Sequence, residues 1–174
     1  NDIRFREEIL FLAEEYPKVE FIFRGKNIDW LESKFHKAVI DRISSLQNVK
    51  VDIEYTEKFR SYHLCANADL IIANPTSLAE ECASAGMNVI VTDYGINYTQ
   101  NISEWFPEVM QDYYCHSFEE LKEMFATFIQ KNYVISKEKK DNIKAEVFSN
   151  FSNGKVIERV QDNLKLLYEE INIK

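Results

Sequence analysis

At 174 residues, with 45% hydrophobic and 13% aromatic side chains, the chain can bury a sizeable core as one domain, and disorder is excluded as its default state. Its 29 acidic against 21 basic residues give a net charge of −8, so no sequence-independent attraction to nucleic acid or to an anionic membrane is expected, while a local basic pocket remains open. No apolar stretch approaches the roughly 20 residues that span a bilayer, and no secretory leader is visible. Three cysteines without metal-site spacing, Cys65, Cys82 and Cys115, read as reduced and buried in a cytoplasmic protein.

The sequence opens without Met and already in helical register, which leads us to expect a piece of a longer protein. Residues 2–16 place Phe5, Ile9, Leu12, Ala13 and Tyr16 on one helical face, and Pro17 stops the helix. VEFIFR, residues 19–24, is a strand ending at Gly25. A helix over 30–46 carries Leu31, Phe35, Ala38, Val39, Ile43 and Leu46 at helical spacing, and VKVDIE, residues 49–54, returns as a strand. A short helix over 57–67 leads into a βαβ unit. There the apolar run Leu70–Ala73 is closed by Asn74 and Pro75, a helix starts on Thr76 and Ser77 and stops at Gly86, and a second run, Val89–Val91, ends at Asp93. Continuous apolar runs joined by a helix imply parallel strands covered on both faces, because a strand exposed on one side would alternate.

Beyond this unit the pattern predicts a helical turn over 101–106, a short strand over 113–115, and a helix over 117–130. Ser117 caps that helix with Glu120 three residues on, and Phe118, Leu121, Phe125, Phe128 and Ile129 form its core face. Residues 136–174 read as mostly helical, broken near 149–154. Four or five strands alternating with helices predict an α/β fold: a Rossmann-like, doubly wound parallel sheet in three α/β/α layers over residues 1–135, with the helices of 136–174 packing on the same domain. A βα unit begins with a strand and this chain begins with a helix, so the first strand is expected to be missing or to lie upstream.

In an open parallel sheet, ligands bind beyond the carboxyl ends of the strands, which selects residues 24–27, 54–56, 74–78 and 93–99. The amides of Thr76, Ser77 and Leu78, with the Ser77 hydroxyl, can bind a phosphate at the positive end of a helix. The same residues serve equally as a plain cap, with Glu80 completing a capping box. Arg24 and Lys26 either neutralise a diphosphate or are solvated charges at a strand end. Tyr55 and Thr56 either flank a nucleobase or pack ordinarily. In DYGINYTQN, Asp93 and Asn97 can contact a transferred group, or Asp93 can cap the loop. His36, His63 and His116 are dispersed, no metal-ligand spacing is visible, and neither a nicotinamide glycine fingerprint nor a Walker A loop occurs.

The stretch DLIIANPTSLAEECASAG followed by MNVIVTD resembles the carboxyl-terminal domain of GT-B-fold glycosyltransferases, and NFSNGKVIERVQDNLKLL resembles the glycine-led terminal helix of those enzymes. The resemblance implies that Glu81, five residues before Gly86, binds donor ribose hydroxyls and that Ser77 binds the donor phosphate. A carboxylate one turn into a helix that faces the crevice can accept two hydrogen bonds from a vicinal diol, and it can equally stand solvated beside Glu80. The implied function is the donor-binding half of an enzyme that transfers a sugar from a nucleotide sugar to an acceptor hydroxyl, in bacterial surface polysaccharide synthesis. No cofactor and no obligatory metal are expected beyond the nucleotide sugar itself. The catalytic base is expected in an amino-terminal domain outside this sequence, and any peripheral membrane association would come through that part. The alternatives are half of a sugar-nucleotide epimerase or polyol-phosphate transferase, or a non-catalytic α/β binding module.

Overall fold

The computed structural model describes residues 2–25, 29–93, 108–143 and 145. Helix α1 (Asp2–Glu15) buries Ile9, Leu10, Leu12 and Ala13 along one side, as the spacing requires. Its last carbonyls are satisfied by a side chain from far along the chain. Asn48 Nδ2 donates to the carbonyls of Ala13 (2.9 Å), Tyr16 (3.3 Å) and Val19 (3.0 Å). Strand β1 (Phe21–Phe23) then alternates, with both phenylalanines buried and Ile22 49% exposed.

The helix expected over 30–46 is instead three pieces: α2 (Asp29–Glu32), a 3₁₀ turn over Lys34–His36, and α3 (Lys37–Ser45). Ser33 makes the break, its hydroxyl accepting from the Phe35 amide at 3.3 Å. The tighter turn swings Phe35 out of the register a continuous helix would give it, and its side chain is 85% exposed rather than in the core. Ala38 is exposed too, whereas Val39 and Ile43 are buried as expected.

Strand β2 (Val49–Val51) runs parallel to β1, with Phe21 opposite Val49. Helix α4 (Arg60–Asn67) follows and buries none of its residues fully. Then comes the βαβ unit: β3 (Ile71–Ala73), α5 (Ser77–Ser84) and β4 (Val89–Thr92). Gly86, at φ 82°, supplies the left-handed residue that ends α5. A 3₁₀ turn over Glu108–Tyr113 leads into β5 (Tyr114–Cys115), and β4 pairs in parallel with both β3 and β5. Helix α6 (Phe118–Lys131) starts on Ser117, whose hydroxyl accepts from the Glu120 amide at 3.1 Å. The Glu120 carboxylate reaches back to the His116 amide at 2.7 Å. Ile129, expected on the core face of α6, is exposed. Helix α7 (Lys137–Ile143) returns to the core through Ile143.

The fold is therefore mixed α/β with parallel strands, arranged as a two-stranded ladder, β1–β2, and a three-stranded ladder, β3–β4–β5. Strand alternation divides the core into a front and a back face. In front, Phe21, Phe23, Val49, Ile90 and Cys115 meet α1, α3 and α6, and Phe125 of α6 stacks on Phe21 at 5.8 Å between centroids. Behind, Val89, Val91 and Tyr114 meet Ala79, Cys82 and Ala83 of α5, together with Ile135 and Ile143. All three cysteines are free. Cys82 and Cys115 are buried, burial pushing each thiol up to about 12, while Cys65 is half-buried rather than enclosed. Among the described residues no helix is long and apolar enough to cross a membrane.

Candidate functional site

The carboxyl ends of β1 and β2 carry a charge network that the sequence did not announce. Its hub is Asp52, directly after β2, with a side chain only 8% exposed. Arg60 closes on it from the first turn of α4, with Nη2 at 2.8 Å and Nε at 3.1 Å from Oδ1, and Arg24 at the end of β1 pairs with Oδ2. The Arg60 hydrogen bond, reinforced by Arg24 against the cost of burial, holds the Asp52 carboxyl below its usual range. Arg24 also donates to the Glu54 carbonyl, reaches Ser61 Oγ at 3.3 Å, and lies over the Tyr55 ring at 4.4 Å. Arg24 and Tyr55 are thus brought together, with Arg24 lying on the Tyr55 ring and paired with Asp52.

Thr56 is drawn into a local turn. Glu54 Oε1 accepts from the Thr56 amide at 2.7 Å, from the Thr56 hydroxyl, and from the Glu57 amide at 3.2 Å. Those three donors, led by the hydroxyl, keep the Glu54 carboxyl low. The Thr56 amide and hydroxyl are thus engaged within the loop.

At the end of β3 the cap of α5 is Thr76, in extended conformation, its hydroxyl accepting from the Ala79 amide at 3.3 Å. The cap therefore falls one residue ahead of Ser77, and Ala79, not Glu80, takes the third helical position, so Glu80 does not complete a capping box. Burial instead raises the Glu80 carboxyl, with the neighbouring Glu81 adding to it. As the first two helical residues, Ser77 and Leu78 have no intrahelical partner for their amides. The Leu78 side chain packs against the back core and the Ser77 side chain is exposed. Glu81 stands one turn beyond Ser77 on the same side of the helix. It is exposed, and its Oε2 accepts from the Tyr62 hydroxyl at 2.7 Å, a bond that raises the Tyr62 pKa.

Beyond β4, Asp93 is buried at 4% exposure, its amide donating to the Cys115 carbonyl at 2.9 Å. The Thr92 hydroxyl donates to Asn74 Oδ1 at 2.9 Å, tying the ends of β3 and β4 together. Burial, then the charges of Glu80 and Asp93, push the Tyr114 hydroxyl up. Lys26 and Asn97 lie outside the described residues.

One feature links the two halves of this edge. Three consecutive residues of α4 reach three different partners: Arg60 holds Asp52, Ser61 meets Arg24, and Tyr62 holds Glu81. The helix begins on Phe59, a non-glycine residue in left-handed conformation with φ 69°. Asp52, Arg60 and Tyr62 were not singled out from the sequence. The recoverable signal was Asp52 itself, an acid directly following the apolar Val49 and Val51 of a parallel strand.

Among the described residues no cluster of His, Cys, Asp or Glu could hold a metal ion. A shallow groove of about 530 Å³ lies between α1 and α6, lined by Phe11, Glu14, Glu15, Phe118 and Lys122, and none of the strand-end residues borders it. No family model matches the chain, and neither a curated protein nor a solved structure matches it.

Proposed function

We propose that the chain is the donor-binding domain of a GT-B-type glycosyltransferase, a three-layer Rossmann-like unit that holds a nucleotide sugar at the carboxyl ends of its strands. One observation carries the reading. Helix α5 starts immediately beyond β3, presents the unpartnered amides of Ser77 and Leu78 at its positive end, and places Glu81 one turn farther along the same side. Amides at a helix start suit a diphosphate, and a carboxylate in line with them suits the ribose diol that follows it. Arg24 and Arg60 add positive charge at the neighbouring strand ends, with Asp52 balancing part of it.

In this reading an acceptor hydroxyl attacks the anomeric carbon, the bond to the diphosphate breaks, and helix amides with cationic side chains stabilise the leaving group. The catalytic base comes from an amino-terminal domain, so residues 1–174 alone bind nucleotide weakly and do not turn over. The protein acts in the cytoplasm, on surface polysaccharide precursors.

Titration with UDP, GDP, CDP and CMP tests the reading, and binding of one of them is expected. Glu81→Ala should weaken that binding by about 1–3 kcal/mol. A folded protein that binds none of the four, or an unchanged affinity in the variant, sinks it. A second reading, a non-catalytic α/β module, draws on the Tyr62–Glu81 bond, which makes Glu81 part of the packing between α4 and α5. The same titration separates the two.

A further inference from the structure

Helices α4 and α5 meet across two rungs. The outer rung is the Tyr62 hydroxyl on the Glu81 carboxylate, between two exposed residues. The inner rung is made of thiols. Cys65 lies three residues beyond Tyr62 on the same side of α4, and Cys82 directly follows Glu81 on α5. Cys65 packs against the back cluster, of which Cys82 is a buried member, and the two thiols share a hydrogen bond. Burial first, then the charge and the hydrogen bond of Cys65, push the Cys82 thiol up to about 12. The charges of both thiols are also felt at the Tyr62 hydroxyl, after Glu81 and burial, so the four side chains form one cluster.

The two thiols differ in reach. Cys82 is 4% exposed and closed to an external reagent, whereas Cys65 is half-buried and open on its outer side. The third cysteine is set apart from both. Cys115 is fully enclosed in the front cluster, across the sheet from Cys82, and its Sγ donates to the Val91 carbonyl at 3.5 Å. One thiol can therefore be reached, a second stands against it, and the remaining one can take part with neither. A reachable thiol in contact with an enclosed one is the arrangement of an attacking and a resolving cysteine.

We propose that Cys65 and Cys82 are a reversible thiol–disulfide site, oxidised by a low-molecular-weight disulfide and closing into a covalent tie between α4 and α5. The Cys65 thiolate attacks one sulfur of the reagent RSSR, an S–S bond forms to Cys65, and the first RS⁻ leaves and takes up a proton. Cys82 then gives up its proton, and its thiolate attacks the Cys65 sulfur and expels the second RS⁻, which is protonated in turn. Two protein thiols have lost two electrons, and one RSSR has become two RSH. Cys82 is rarely ionised, and its contact with Cys65 offsets that by making the second step intramolecular. Hydrogen-bonded sulfurs close to the roughly 2 Å of an S–S bond by side-chain rotation. An excess of RSH runs both steps backwards.

The ring of chain closed by this bond contains the whole of β3 and the start of α5, so Thr76, Ser77 and Glu81 all lie inside it. Helix α4 buries none of its residues fully and is held to its surroundings through Arg60, Ser61 and Tyr62. Oxidation replaces part of that hold with a covalent bond and keeps Tyr62 against Glu81. The bond itself is independent of the nucleotide reading.

Incubation of native residues 1–174 with oxidised glutathione, followed by acid quenching and peptide mapping without reduction, tests the proposal. The expected product is a Cys65–Cys82 disulfide with no glutathione retained and Cys115 free, and reduced glutathione should restore the dithiol. Cys82→Ser should stop at one glutathione on Cys65, and Cys65→Ser should leave the chain unreacted over the same time. In the wild type, a lasting glutathione adduct on Cys65, a bond to Cys115, a bond between two copies, or no reaction at all overturns the proposal. Melting of the oxidised and reduced wild type gives a second reading. A cross-link closing a loop of this length, between helices already in contact, should raise the melting temperature by roughly 5–10 °C. An unchanged or lower value would mean that the bond forms only by distorting the packing of α4 on α5, and it would overturn the site as described.

Discussion

Ile22 and Ile90 are the same residue in the middle of two short parallel strands, and one is 49% exposed while the other is fully enclosed. The difference lies in their neighbours. Among the described residues, strand β4 has a strand on each side and helices on both faces, whereas β1 has one strand beside it and packs into the front cluster. Their helices repeat the contrast, since α5 buries Ala79, Cys82 and Ala83 and α4 buries nothing fully. Apolar sequence makes a strand eligible for burial, and covered edges and faces decide whether burial happens.

That contrast is most directly broken at the two isoleucines. Ile90→Ala should cost about 3–4 kcal/mol in urea denaturation, within the usual range for a fully buried aliphatic truncation. Ile22→Ala in residues 1–174 should cost about 1 kcal/mol or less. Similar costs at both sites would refute the difference in environment.

Asp52→Asn comes next, because it leaves two guanidiniums facing a neutral amide at a nearly buried position, and we expect a loss of about 1–3 kcal/mol at neutral pH. Its pH dependence has a definite sign. The folded Asp52 carboxyl is held low, so its contribution is present above the unfolded value near 4 and is lost as pH falls through the folded value. The wild type should therefore show an acid loss of stability that is shallower in the variant. Identical acid limbs would remove Asp52 as the hub.

Tyr62→Phe is a smaller change, felt in binding more than in folding. It frees Glu81 from its hydroxyl partner, so a nucleotide that uses Glu81 should bind up to several-fold more tightly. In the wild type the tyrosinate absorbance of Tyr62 should appear above its ordinary pH. The raised folded pKa means that this bond contributes below about pH 10 and is lost as pH rises through the folded value. Smallest of all, Phe59→Gly relieves a left-handed aromatic residue at the start of α4 and should shift stability by at most about 1 kcal/mol, in the stabilising direction. A clear loss of melting temperature would show that the Phe59 ring, packed at 6.1 Å from Tyr62, matters more than its backbone.

The βαβ unit from β3 to β4 was legible because each of its signals is local: an apolar run, a capping threonine, a terminating glycine, a second apolar run. What escaped was non-local or turned on a single side chain. The Ser33 hydroxyl broke a helix whose hydrophobic spacing argued for continuity, and Phe35 left the core with it. Asp52 gathers Arg24 from 28 residues away and Arg60 from 8, a meeting that no local pattern encodes. The candidate site was legible to the same degree. Thr76, Ser77 and Glu81 fall on one helix start, while Thr56, open in the sequence between a base contact and ordinary packing, is held by Glu54 two residues before it.

Asn48 shows how much of the lesser-covered half rests on one functional group. It stands immediately before β2, and its single amide nitrogen is shared among three carbonyls spanning the end of α1 and the approach to β1. Three acceptors converge on two protons, so the turn is held by the count of hydrogens and not by the shape of the side chain. Aspartate has that shape and would set a fourth oxygen against the other three. The order of the loop before β1 thus depends on the difference between nitrogen and oxygen at one atom, in a segment where little buried apolar surface stands in reserve.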